Sequence, residues 1–194
     1  PMMTNIVILF VLKFMSKRSD AMLDAFSLAK RFELYLIQLS VCLGAGAMVV
    51  LGASHATRNF ERGKEAFRVS VKVLFSFGIP VIIFMFFGSQ FYYMTLTENQ
   101  QIISEGQQYF VWGSLNSLFL CGIIILNFCF QGLGRPALPL PFTLFSVLVI
   151  QGLGAALIIP NGHSANIYYG LCSVGSLLTF LLVRKVFLRA VSEE

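Results

Sequence analysis

The chain has 194 residues, of which 57% are hydrophobic and 12% charged, with a mean hydropathy of +0.79 and a formal net charge of +5. Soluble domains carry roughly a quarter of their residues as charged side chains, so this composition excludes a water-soluble core and points to a polytopic membrane protein. The positive charge does not indicate nucleic acid as a partner. Nine of the fourteen basic residues (Arg58, Arg62, Lys64, Arg68, Lys72, Arg135, Arg184, Lys185 and Arg189) fall near span ends that one topology puts on one side, the asymmetry by which membrane proteins orient themselves beside anionic head groups.

A helix needs about 20 apolar residues to cross the hydrocarbon core, and on that criterion the chain reads as an all-α polytopic bundle of six transmembrane helices. Residues 1–194 form a single lobe. The first helix, residues 2–16, is short. It is followed by Lys17-Arg18 rather than a small-residue cleavage site, so it is not a signal peptide. The chain opens on Pro1 instead of an initiator Met, which leads us to expect a piece of something longer. The second helix, residues 19–53, has no Gly or Pro from Ser19 to Leu43, so it should be continuous and long enough to tilt or protrude.

The loop that follows, from His55 to Arg68, is basic and is placed on the cytoplasmic side. The third helix, residues 64–92, starts amphipathic, kinks at Pro80 and ends in Tyr92-Tyr93, read as an interfacial aromatic belt. Breakers at Thr97-Glu98-Asn99, Gly132-Leu133-Gly134-Arg135-Pro136 and Pro160-Asn161-Gly162-His163 bound helices at 102–131, 137–159 and 164–190. Short connections make successive helices antiparallel neighbours. The loops at 16–20, 94–101 and 160–165 then face outward, and Lys17 and Arg18 are the one discord.

Ionisable and amide side chains in hydrocarbon are costly and should face protein or a water-filled cavity. On the second helix Asp20, Asp24, Ser27, Arg31, Tyr35 and Gln38 recur at steps of four and three, which stacks them on one face. Lys30 and Glu33 can pair beside that stripe. The stripe lines either a hydrated cleft or the solvated end of a protruding helix. We favour the cleft for Arg31, Glu33 and Gln38 and leave both readings open for Asp20 and Asp24. On the fourth helix Trp112, Asn116, Asn127 and Gln131 share a face, either as glue to a neighbouring helix or as contacts to a substrate. The candidate cavity-lining residues are therefore Asp24, Arg31, Glu33, Tyr35, Gln38, Trp112, Asn116, Asn127 and Gln131.

Gln151, Ser173, Ser176 and Thr179 read as packing, as do Gly44, Gly46, Gly152, Gly154, Gly170 and Gly175. Most of the 20 Phe residues should face lipid or pack, while a few on the cavity side would suit flat, apolar, cationic molecules. Cys42, Cys121, Cys129 and Cys172 lie in spans without a CxxC pair or a nearby His, and His55 and His163 sit in opposite loops. Neither a metal site, a disulfide framework nor a catalytic constellation is expected, so the chain does not read as an enzyme.

Several stretches resemble the C-terminal six-helix half of the multidrug and toxic compound extrusion (MATE) transporters. They are Gly52-Ala53, Asn59-Phe60-Glu61-Arg62 and Lys64-Glu65-Ala66, with Asp24-Ala25-Phe26 and Lys30-Arg31-Phe32-Glu33 before them and Phe130-Gln131-Gly132-Leu133-Gly134-Arg135-Pro136 after. The resemblance implies two six-helix lobes around a cavity that opens alternately to each side, with export of organic cations, drugs or metabolites driven by inward Na⁺ or H⁺. It further implies an N-terminal lobe absent from this chain, or a second copy in its place, and a multi-pass location in the plasma membrane, as in the bacterial inner membrane.

No cofactor is implied beyond the coupling ion. Some members carry an acidic residue in the first or fourth helix of this half. Here the first helix has no Asp or Glu and none occurs between Glu105 and Glu193, which leaves Glu33, Asp24 or, as we favour, the absent lobe to couple. Two alternatives stand beside this reading: a flippase for lipid-linked sugars of the same superfamily, disfavoured because few cationic residues, chiefly Lys30 and Arg31, lie away from the span ends, and an inactive or structural membrane subunit.

Overall fold

The computed structural model describes residues 2–57, 60–159 and 165–192. Arg58, Asn59, Pro160, Asn161, Gly162 and His163, which carry parts of the two loop readings, lie outside the described residues. Among those described, the chain is built from α1 (Met2–Arg18), α2 (Asp20–Ala56), α3 (Phe60–Leu96), α4 (Gln100–Gly132), α5 (Leu140–Ile158) and α6 (Ala165–Ser192). Five of these, α2 to α6, are long and apolar enough to cross a bilayer. The expected count of six spans is not met on that criterion, because α1 has only 17 residues.

The absence of breakers gives α2 its 37 residues, about 55 Å at 1.5 Å per residue and far more than a span requires. Ser19 separates it from α1 by a single extended residue, φ −165° and ψ 133°, and Asp20 then sets a negative charge at the positive end of the helix dipole. α3 also has 37 residues and runs unbroken through Pro80, starting and ending about one turn beyond the expected 64–92. Asn99 caps α4, its side chain accepting from the Gln101 amide at 2.9 Å.

Gly134, at φ +70°, ends α4. The Arg135 amide returns to the Phe130 carbonyl at 2.9 Å and that of Gly134 to Gln131 at 3.0 Å, a Schellman closure that needs a left-handed residue. Pro136 and Pro139 precede α5, which starts past the expected residue 137 and carries Pro141 in its first turn, where a missing N–H costs nothing. Its middle, Phe145–Leu153, is wound as a π-helix.

α4 is the hub. It packs against α2, α3 and α6, and 67% of its most apolar stretch is buried. The core divides into two stacked clusters. One, with Met22, Phe26, Met85, Tyr93, Phe110 and Tyr169, lies toward the 97–99 turn. The other, with Leu51, Phe67, Leu74, Leu126, Phe130 and Phe187, lies toward the basic start of α3. Gly44 packs as expected, its Cα side pressed against the Phe128 ring, whereas Gly46 has nothing within 4 Å and so is not a packing glycine in this lobe.

The outer faces differ. The exposed side chains of α3 between Phe77 and Phe87, among them Ile79, Ile83, Phe84 and Phe86, are all apolar, as a lipid-facing surface requires. Tyr92 and Tyr93 do not form the expected belt. Tyr93 is fully buried and donates to the Ala25 carbonyl at 2.7 Å, and Tyr92 donates to the Leu28 carbonyl at 3.1 Å. They tie α3 to α2 because buried hydroxyls need an acceptor.

Candidate functional site, a buried ion pair behind a polar helix face

Glu33 is 1% exposed, the most deeply buried acidic side chain among the described residues. Lys30, one turn earlier on α2, places its Nζ 2.5 Å from Oε2, as the three-residue spacing allows. From α4, the Tyr109 hydroxyl donates to Oε1 at 2.5 Å. Each carboxylate oxygen thus meets one donor. The Lys30 ammonium also lies 5.2 Å from the Phe26 ring centre and 5.7 Å from that of Tyr109, both within cation-π range.

An aromatic shell fixes this arrangement. Tyr109 meets Phe26 edge-on at 5.3 Å and Tyr169 of α6 at 4.9 Å. Phe110 stands against Tyr93 at 5.4 Å. Gly106 makes the approach of α3 feasible, since the Tyr93 ring occupies the space its Cβ would take. The pair is partly open: Lys30 keeps 27% of its side chain exposed while Glu33 is sealed.

The remaining candidates fall outside this centre. Asp24, Arg31, Tyr35 and Gln38 are all exposed, Tyr35 by 78%. They lie together on the exposed face of α2, as their spacing predicts, with Arg31 and Tyr35 near Tyr92 of α3, and among the described residues none of the four is buried against protein. Asn116 is buried and accepts from the Ser176 hydroxyl at 2.6 Å. It is a cross-link from α4 to α6. Trp112 is exposed and gives only its carbonyl, to the Ser173 hydroxyl at 2.5 Å. Asn127 is half-buried and Gln131 exposed, so the α4 amides do not gather around Glu33.

Tyr109 is not among the residues that the sequence marks out, and Tyr93 reads there only as part of an interfacial belt. The usable signal was Tyr109 standing seven residues before Asn116 on the same face of α4, between Gly106 and Gly113. Among the described residues no three His, Cys, Asp or Glu side chains are grouped to hold a metal ion.

The MatE family model matches residues 1–157. The fold is also that of two solved structures. One is the outward-facing conformation of a multidrug resistance MATE family transporter of the MOP superfamily: TM-score 0.85, 19% identity, covering 99% of this chain and 44% of that one. The other is a MOP superfamily transporter from Pyrococcus furiosus Vc1 (DSM3638), in which reverse polarity of the binding pocket was taken to suggest a different function: TM-score 0.83, 18% identity, covering 98% of this chain and 44% of that one. The chain therefore spans less than half the length of these transporters. No curated protein matches it.

Proposed function

Because this chain belongs to the MatE family of transporters, a multi-pass group of the lipid bilayer rather than enzymes, we propose that it is one lobe of a cation-coupled exporter of organic cations. In this reading α1 also enters the membrane, completing six helices, and a second lobe, on the same polypeptide or another, faces α2 across the translocation cavity.

The observation that carries the reading is the contrast between two outer faces. Between Phe77 and Phe87 α3 exposes only apolar side chains, whereas α2 exposes Asp24, Arg31, Tyr35 and Gln38 beside Leu34 and Val49. Charges and amides at that depth are too costly to leave in lipid, and repeat-built transporters place substrate where repeats meet. The α2 face is thus the surface a second lobe or a water-filled cavity covers. Tyr35 and exposed Trp112 add π-faces for a flat cation. Na⁺ or H⁺ supplies the driving gradient.

The test is export. Paired with a second six-helix lobe, or as a homodimer, the chain should lower accumulation of a fluorescent organic cation in cells. A protonophore or Na⁺ removal should abolish the effect. Gln38→Ala should weaken efflux with little loss of folded protein. Gradient-driven efflux by a demonstrably monomeric chain would overturn the half-transporter reading.

A further inference from the structure

We propose that the last turns of α6 form a binding site for one anionic phospholipid, with its phosphate held by Arg184 and Lys185, Arg189 lying farther out, and its acyl chain laid along Leu181 and the apolar strip behind it. The inference goes beyond the exporter reading and needs only that the lobe lies in a bilayer.

The position follows from helix length. Every side chain that α6 exposes from Ile167 to Leu182 is apolar, among them Leu171, Val174, Leu178 and Leu181, so this strip can face hydrocarbon. Arg184 comes 19 residues after Ala165, about 28 Å at 1.5 Å per residue, against a hydrocarbon core of about 30 Å. The first cation therefore stands where acyl chains give way to phosphates. Arg189 lies about 8 Å farther along the helix, within the head-group layer.

The side chains there form more than a charged rim. Leu181, Arg184, Lys185, Leu188 and Arg189 line an open groove of about 430 Å³. Leu181 and Leu188, seven residues apart, lie on one line along the helix, and Arg184 and Lys185 stand between them on either side of that line. A phosphate centred there meets a guanidinium fork on one side and an ammonium on the other. The leucines cover the glycerol and the first methylenes, and the lysine and arginine stems add to that apolar surface. A free phosphate would use the two cations and leave the leucines in water; a lipid uses both.

Basic residues at span ends often serve only to orient a chain, and the α3 cations fit that role. Lys64 is bridged to Glu61 at 3.0 Å, and Glu65 stands three residues before Arg68. By contrast α6 contains no Asp or Glu, so its three cations are not offset on their own helix. The next acids in the sequence, Glu193 and Glu194, come at least eight residues after Lys185, twice the spacing at which helix side chains pair. Behind the groove, Phe187 packs on Phe67 of α3 at 4.7 Å and on Phe130 of α4 at 5.6 Å. A lipid held on the outer face of α6 thus steadies the junction of three helices.

The experiment counts lipids on the whole chain by native mass spectrometry in detergent, comparing dioleoyl phosphatidylglycerol with dioleoyl phosphatidylcholine. The first phosphatidylglycerol should bind roughly tenfold more tightly than phosphatidylcholine, as two well-placed cations allow. Arg184→Gln with Lys185→Gln should bring the two lipids to near equality, and Leu181→Ser should weaken both. Arg184→Lys with Lys185→Arg should keep the preference. Arg68→Gln with Lys72→Gln, the same loss of charge on α3, should keep it as well, and millimolar glycerol phosphate should not displace the lipid. On the unaltered chain, phosphatidylglycerol carrying a photoreactive acyl chain should label α6 between Leu178 and Leu188, a readout that does not depend on any variant folding.

Equal affinity for the two lipids in the parent, or a preference lost equally on removing the α3 pair, would overturn the proposal and leave these residues as orienting charges only. Displacement by glycerol phosphate would mark a site for the free anion instead, and labelling confined to other helices would place the lipid elsewhere. None of these results touches efflux, so the site can fail while the half-transporter reading stands.

Discussion

The contact that most tightly constrains the candidate site is the one between Gly106 and Tyr93, and Gly106→Ala tests it. A Cβ at Gly106 would fall against three carbons of the Tyr93 ring. The ring has nowhere to go. Tyr93 is fully buried, its hydroxyl is held at the Ala25 carbonyl at 2.7 Å, and Phe110 packs beside it. Overpacking of this kind costs about 1–3 kcal/mol, and losing the buried hydroxyl bond adds about 1–3 kcal/mol. Ala offsets some of this through its helix propensity, by about 1 kcal/mol. The expected net loss is about 1–5 kcal/mol.

Gly46→Ala is the matched control, because nothing lies within 4 Å of its added methyl. It should be neutral or stabilising by up to about 1 kcal/mol. Thermal unfolding of both variants in the same detergent, followed by helicity, gives the comparison. Gly106→Ala unfolding at the same temperature as Gly46→Ala would refute the close approach of α3 to α4, and with it the shell that seals Glu33.

Three further outcomes follow from the same geometry. A double-mutant cycle between Asn116→Ala and Ser176→Ala should give a coupling of roughly 0.5–1.5 kcal/mol in unfolding measurements, the range for hydrogen bonds between membrane helices; additive effects would mean that the bond from α4 to α6 is not formed. Lys30→Met should destabilise the lobe by up to about 3–5 kcal/mol, because it strands a buried carboxylate, and adding Glu33→Leu should recover most of that loss in the same assay; no recovery would place the cost elsewhere. With Cys42 replaced by Ser, an impermeant thiol reagent added outside whole cells should label a Cys at Asn99 and spare one at Glu61; the opposite pattern would invert the orientation drawn from the basic residues.

Features that depend on neighbours along the chain were legible in the sequence. The uninterrupted run after Ser19 made α2 one long helix, the three-residue spacing joined Lys30 to Glu33, and the Gly134-Arg135-Pro136 cluster stopped α4. Features set by tertiary contact were not. The hydroxyl on Glu33 comes from Tyr109, 76 positions away, and nothing local to either residue announces the partner. Tyr92-Tyr93 matched an interfacial belt by position but found acceptors on α2 instead. The π-wound segment of α5 was hidden for another reason. Its run Phe145–Leu153 is nearly all apolar, so periodicity cannot separate one winding from another.

The site and the outer face are not independent, because they share α2. Residues two apart on a helix point to nearly opposite sides, so burying Glu33 necessarily turns Arg31 and Tyr35 outward, as observed. Lys30 stands at the seam, bonded inward and exposed along part of its length. One lysine side chain therefore joins the sealed carboxylate to the partly exposed edge of α2. Any roll of α2 about its axis would also shift both sets of side chains together, but Tyr92 and Tyr93 pin its backbone at Leu28 and Ala25.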